Sequence, residues 1–216
     1  MGIRARKEQE KLERRESIVD AAEKVFFDKG YERTTMDDIA RAAALSRGLL
    51  YVYFRDKSAI LEAVMLRAAE KLRQRFREVA ASDMDGGAKI QAMGQAYYAF
   101  SIEEPDHFDL LTRAAGDWPT LEPAPLDSTL DACSGEIMRI MADTLEDGIK
   151  DGSLDAALIP SPLQTALYLR GTLHGIIMLT RQPAVKELAD QQSADALVEY
   201  ALQMIGKSLV KNGSDV

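Results

Sequence analysis

The sequence predicts an all-α protein, and three observations lead there. Apolar residues recur at spacings of three and four along most of the chain. No stretch alternates with period two, as a half-buried strand would. The breaks between periodic segments carry helix-ending residues: Gly30, the run Ser82-Asp83-Met84-Asp85-Gly86-Gly87, the proline-rich 116–125 and Asp151-Gly152-Ser153.

In chain order, residues 1–16 alternate charge heavily and read as a solvated helical extension. The sharper alternative is an arm whose Arg4 and Arg6 reach a nucleic-acid backbone or minor groove. Ser17 to Lys29 is an amphipathic helix with Ile18, Ala21, Ala22, Val25 and Phe26 on one face, ended by Gly30. Tyr31 plugs the core behind the turn. Thr35 is an N-cap with Asp38 three residues on, a capping-box spacing, and Ile39, Ala40 and Ala43 share a face. After a break at Ala44–Leu45, Ser46 caps a second short helix, Arg47 to Tyr53, with Leu50 and Phe54 turned to the core. Asp56 caps a long fourth helix from Lys57 to about Ala81, with Ile60, Leu61, Val64, Met65 and Ala68 inward.

The remainder is a helical body. Ala88 to Glu104 is ended by Pro105, and Asp106 to Ala115 is shorter. After the loop at 116–125, a helix runs from Leu126 to about Lys150. Ser161, with Pro162 at N1 and Gln164 at N3, starts the next, which reaches about Arg181. Ser193 starts the last, to about Val210. We place the domain boundary so that 10–57 forms an N-terminal three-helix head and 58–216 the body.

Composition narrows the class. Of 216 residues, 46% are hydrophobic and 29% charged, as in soluble globular proteins. No apolar run approaches the ~20 residues of a membrane span, and the charged N-terminus lacks the apolar core of a secretory signal. The single cysteine, Cys133, excludes an internal disulfide framework and fits a reducing cytoplasm. The net charge of −8 is unevenly spread. Residues 1–57 hold 13 Lys and Arg against 11 Asp and Glu, whereas 58–216 hold 14 against 24. The head is slightly basic on an acidic body, and DNA binding needs only local basic surface.

Two short helices joined by a three- to four-residue turn make a helix-turn-helix, whose second helix can enter the DNA major groove. Arg47 can bind guanine bidentately or meet a phosphate. Gly48 leaves room for close backbone approach. Tyr51 and Tyr53 bring hydroxyls, and Lys57 sits where a phosphate could meet a helix N-terminus. Leu49 faces a thymine methyl or the interface edge.

The run Thr34-Thr35, Ile39-Ala40, Ser46-Arg47-Gly48-x-Leu50-Tyr51-x-Tyr53-Phe54 and Lys57 resembles the DNA-binding domain of the TetR family of bacterial transcriptional regulators, over about residues 18–64. Two positions depart from the family pattern: Ala44 stands where the turn usually has glycine, and Val52 where a second ring is common. The resemblance implies a homodimeric, ligand-responsive regulator, most often a repressor, reading a pseudo-palindromic operator in double-stranded DNA. It carries DNA contacts onto Thr34, Thr35, Ser46, Arg47, Gly48, Leu49, Tyr51, Tyr53 and Lys57. The alternative is a helical dimeric interaction module whose head does not read DNA.

The helix over 163–179 is apolar most of the way round and must be buried, either within one subunit or against a partner. Gly171 and Gly175 would admit a close helix. The resemblance favours a four-helix dimer interface, with Leu167, Gly171, Gly175, Met178, Leu197, Ala201 and Met204 on it. A small-molecule effector pocket belongs between the body helices, with Met93, Tyr97, Phe100, Phe108, Leu111, Trp118, Met138, Met141, Tyr168 and His174 as candidate lining; methionines and aromatics at helical spacing are also ordinary core. No metal-ligand spacing, nucleotide loop or nucleophile elbow occurs. We therefore expect no enzyme, no cofactor and no metal.

Overall fold

A computed structural model describes residues 2–113, 129–188 and 191–210. Among them the helices are α1 (Ile3–Lys29), α2 (Met36–Ala42), α3 (Arg47–Tyr53), α4 (Lys57–Ala80), α5 (Gly86–Glu103), α6 (Pro105–Arg113), α7 (Thr129–Asp151), α8 (Pro162–Thr180), α9 (Pro183–Leu188) and α10 (Gln191–Lys207). A 3-10 turn, Ala156–Leu158, precedes α8. The all-α expectation holds. The charged extension and the first amphipathic helix are one continuous helix, and α9 is an element that the sequence pattern did not reveal. The expected loop at 116–125 and the expected helix start at Leu126 lie outside the described residues.

The chain divides into two compact units: 1–68 with 110–126, and 69–109 with 127–216. In the first, Ile18, Val19, Ala22, Phe26, Tyr31, Ile39, Leu50, Phe54, Ile60, Leu61 and Val64 form the core. The caps set its corners. Gly30 leaves α1 with φ +81°, a conformation natural to glycine. Thr35 and Asp38 close a reciprocal capping box on α2. The Ser46 hydroxyl accepts the Leu49 N–H at 3.2 Å at the head of α3, and Asp56 accepts the Ala59 N–H at 2.7 Å at the head of α4. Arg67 of α4 ties back to α1 through Glu16 and Asp20, both at 2.6 Å, and Glu23 at 3.1 Å.

In the second unit α7 packs on α5 and α8, and α10 packs on α5 and α8. The approach of α5 to α7 is set by two glycines. A Cβ on Gly86 would lie 2.2 Å from the Gly148 Cα, so that position tolerates no side chain, and one on Gly148 would press within 2.5 Å of the Leu154 side chain. The turn ending α7 also caps α5: Asp151 accepts the Gly86 N–H at 2.8 Å and the Ser153 hydroxyl accepts that of Gly87 at 2.9 Å. Ser161 caps α8 with Pro162 in its first turn, as its sequence signature requires.

Candidate nucleic-acid interface and effector cavity

The turn between α2 and α3 is tight. Leu45 N–H donates to the Ala40 carbonyl at 2.8 Å, and Ala44 is held at φ +55°. It is a non-glycine residue in the left-handed region. From this turn α3 presents an open face. Ser46, Arg47, Gly48, Leu49 and Tyr51 are exposed and Tyr53 is half-buried, while Leu50 is buried beneath them. A Cβ at Gly48 would meet nothing within 4 Å, so the helix surface there is unobstructed.

Arg47 is pre-aimed rather than free. Its Nη1 lies 3.3 Å from an Asp37 carboxylate oxygen, Nη2 lies 3.4 Å from the Tyr51 hydroxyl, and the guanidinium carbon is 5.7 Å from the Tyr51 ring centre. Two residues of this face were not singled out from the sequence. Asp37 is one. The other is Val52, 70% exposed on α3. Its place on the same short helix as Arg47, away from Leu50, was the available signal.

Two expected contact residues are corrected. Thr34 is only 2% exposed, and its hydroxyl donates to the Gly30 carbonyl at 2.7 Å, so its side chain locks the turn. The Lys57 ammonium donates to the carbonyls of Tyr31 at 2.8 Å and Thr34 at 2.9 Å and lies 4.1 Å from the Tyr31 ring centre. Two of its three donors are thus committed within the fold. Thr35 stays exposed, but its hydroxyl donates to Asp38 at 2.7 Å as part of the α2 cap.

The second unit encloses a cavity of about 540 Å³ between α4, α5, α7, α8 and α10. Met93, Tyr97, Met138 and Met141 line it, as the sequence suggested. Phe100 and Phe108 do not. Both are fully buried, and they pack edge-to-face 6.4 Å apart, with Phe108 5.4 Å from the Tyr97 ring, as core behind the wall. His174 also stands outside the lining, but its Nδ1 is 3.1 Å from the Tyr97 hydroxyl. Burial lowers the His174 pKa, with help from the charges of Arg170 and Arg181, so the ring is neutral at pH 7. Tyr168 is 62% exposed on the outer side of α8, and Leu111 is not part of the wall. Trp118 lies outside the described residues. The lining that periodicity did not single out includes Leu72, Phe76, Ile90, Leu173 and Arg170.

The apolar residues of α8 divide between two faces. Ala166, Leu169, Leu173 and Ile177 are buried. Leu163, Leu167, Gly171, Gly175 and Met178 face outward, and a Cβ on either glycine would meet nothing within 4 Å. On α10, Leu197, Tyr200 and Met204 are likewise exposed. Ala201 is corrected: it is 5% exposed and packs inward beside Val198 and Leu202.

Two family models match the chain. One, described as bacterial regulatory proteins, tetR family, covers residues 18–64, and a tetracyclin repressor-like C-terminal domain covers 90–205, more than half of the chain. The transcriptional repressor KstR2 of Rhodococcus jostii is 26% identical over 148 residues, 65% of this chain and 67% of that protein. The transcriptional activator FasR of Mycolicibacterium smegmatis is 30% identical over 99 residues, 46% of this chain and 45% of that one. A crystal structure of the regulator FadR from Bacillus subtilis in complex with stearoyl-CoA superposes with a TM-score of 0.66 at 19% identity, covering 89% of this chain and 98% of that one.

Proposed function

The chain belongs to the TetR family of bacterial regulatory proteins, and from that premise we propose that it acts as a homodimeric repressor, bound to a pseudo-palindromic operator and released when a small apolar effector enters the cavity of its second unit. DNA reading is assigned to residues 10–57 and dimerisation with effector binding to 58–216. The observation that carries the DNA assignment is the open face of α3, with Arg47 held by Asp37 and Tyr51 beside an unobstructed Gly48. Arg47, Gly48, Leu49, Tyr51, Val52 and Tyr53 are the groups offered to base edges, and Thr35 and Ser46 are those offered to phosphates.

A single seven-residue helix reads few base pairs, so two-fold pairing is needed for specificity. The outward stripe of α8 and α10 supports that pairing, because bare apolar rows with two open glycines suit helix-on-helix contact. The cavity supports the effector: it is apolar, enclosed by five helices and large enough for a drug-sized molecule. The stearoyl-CoA of the Bacillus subtilis structure is an amphipathic ligand on a similar fold. Repression is proposed over activation because the relative named a repressor matches the larger share of this chain.

The test is fluorescence-anisotropy titration of the DNA upstream of the protein's own gene against a scrambled duplex at two salt concentrations. Tight binding that survives higher salt better than the scrambled control is the expected result. Equal weak binding to both duplexes, and to a selected pool of random duplexes, would remove the DNA-reading assignment.

A further inference from the structure

This inference rests on the reading of the cavity as an effector site and concerns what the effector must carry. We propose that it is an apolar molecule bearing one carboxylate or equivalent anion, and that Arg170 reads that charge.

Arg170 is the one ionised side chain among the 19 residues of α8, on a helix otherwise built to be buried. It lines the cavity together with Tyr97, Met93, Met141, Leu173 and Phe76. Four other guanidiniums of this unit have a carboxylate partner. Arg73 meets Glu136 at 2.9 Å, Arg75 meets Glu103 at 2.8 Å, and Arg77 and Arg181 pair with Glu136 and Asp109. Arg170 has no carboxylate within 4 Å among the described residues. Arg139 likewise has none among the described residues, and both are exposed; what sets Arg170 apart is its place on the cavity lining.

The other charged groups of the wall point the same way. Asp85 is the acid on the lining, but it is occupied as the α5 cap, accepting the Ala88 N–H at 2.7 Å. Lys207 adds a second cation to the wall. The Tyr97 hydroxyl, 3.1 Å from His174 Nδ1, also accepts from the Arg170 guanidinium, which holds that cation at the cavity wall. Arg170 is itself exposed at the cavity, and an anionic head set against its guanidinium would gain a charge-assisted, bidentate contact. Its apolar body would fill the methionine- and leucine-lined space. A cationic head would meet like charge and lose that contact.

Three probes of equal length separate the possibilities: decanoate, methyl decanoate and decylammonium, titrated calorimetrically into the full-length protein and into Arg170→Gln. In the native protein decanoate binds about tenfold more tightly than the ester, the worth of one hydrogen bond to a charged group, and decylammonium binds most weakly. Arg170→Gln abolishes the preference for decanoate and leaves the ester unchanged. Equal binding of all three would overturn the charge proposal while leaving an apolar effector site in place. Binding by none would overturn the charge proposal without touching the DNA-side assignment. Sedimentation of Arg170→Gln guards against a different role: loss of the dimer would place Arg170 at the subunit interface and overturn the proposal.

Discussion

The Arg47 guanidinium of α3 is held 3.3 Å from the Asp37 carboxylate of α2. Both groups are more than half exposed, so the pair adds little to stability. Its consequence is for binding: the acid aims the arginine and opposes its loose capture of any phosphate. Arg47→Ala is expected to weaken operator binding by about 10- to 100-fold, the worth of a specific base or phosphate contact, with an unchanged melting temperature. Asp37→Asn is expected to tighten binding to a scrambled duplex more than to the operator, and to steepen the salt dependence by about one phosphate contact. Anisotropy titrations over a salt series read both effects.

Ala44 at φ +55° occupies a backbone region that costs an alanine about 1–2 kcal/mol. The residue is exposed, and the turn that imposes the angle is fixed by the bond from Leu45 to Ala40. Ala44→Gly is therefore expected to stabilise the first unit by about 1 kcal/mol, after the extra backbone entropy of glycine in the unfolded chain is subtracted. Circular-dichroism melts would show a rise of a few degrees. An unchanged or lower melting temperature would mean the turn relaxes in solution.

Lys57 is a test of structure against surface charge. With its ammonium bonded to the Tyr31 and Thr34 carbonyls, Lys57→Met should leave the Thr34 carbonyl without its partner, the Tyr31 carbonyl keeping the Thr34 N–H, and cost about 1–3 kcal/mol of stability. The slope of operator affinity against salt should stay nearly constant, since no phosphate contact is removed. A slope that falls by about one, with stability intact, would return Lys57 to the DNA.

These cases mark what the sequence could and could not disclose. Caps were legible because their chemistry is local: Thr35 with Asp38, Ser46, Asp56, and Ser161 with Pro162 all fall where their spacing puts them. Ala44 was marked only by the resemblance, as standing where the family turn usually has glycine, and its φ of +55° came from the structure. The internal bonds of Thr34 and Lys57 were not legible because their partners are carbonyls 4 to 26 residues away, which no pattern of side-chain types encodes. Phe100 and Phe108 look like Tyr97 in a periodicity argument, and only packing separates wall from core. Ala201 had the spacing of an outer residue but falls beside Val198 on the inner face. Arg170 carried a readable signal, a lone charge in an apolar helix, although only the cavity gives it a use.

The α2 cap also predicts an acid sensitivity. Lys29 at 2.5 Å, then the Thr35 hydroxyl and amide at 2.7 and 2.9 Å, hold the Asp38 carboxyl well below the usual carboxylate range. A depressed folded-state pKa gives stability that is complete above the unfolded value of about 3.9 and lost as pH falls below it. The melting temperature of the native protein should therefore exceed that of Asp38→Asn by a constant margin from pH 7 down to about pH 5. The margin should then narrow through pH 4 and 3. A margin that stays constant at pH 3 would show that Asp38 does not carry this acid dependence.

Gly206 permits the cavity to be closed without disturbing the rest. It lines the cavity from α10, and an added Cβ would meet no heavy atom within 4 Å, so a larger side chain has room to enter. Leucine is also the better helix former by roughly 0.5–1 kcal/mol, so Gly206→Leu should not lower the melting temperature. Filling the space should reduce binding of 8-anilinonaphthalene-1-sulfonate, an apolar dye with an anionic head, by about tenfold, the worth of roughly two methylenes denied burial. Operator affinity in the absence of any effector should be unchanged, because α3 belongs to the other unit. If the dye binds the variant as it binds the native protein, it sits elsewhere, and the cavity loses its standing as the effector site. If operator affinity falls while the fold is intact, closing the cavity is itself felt by the DNA-binding unit, and Gly206→Leu would then mimic a bound effector rather than exclude one.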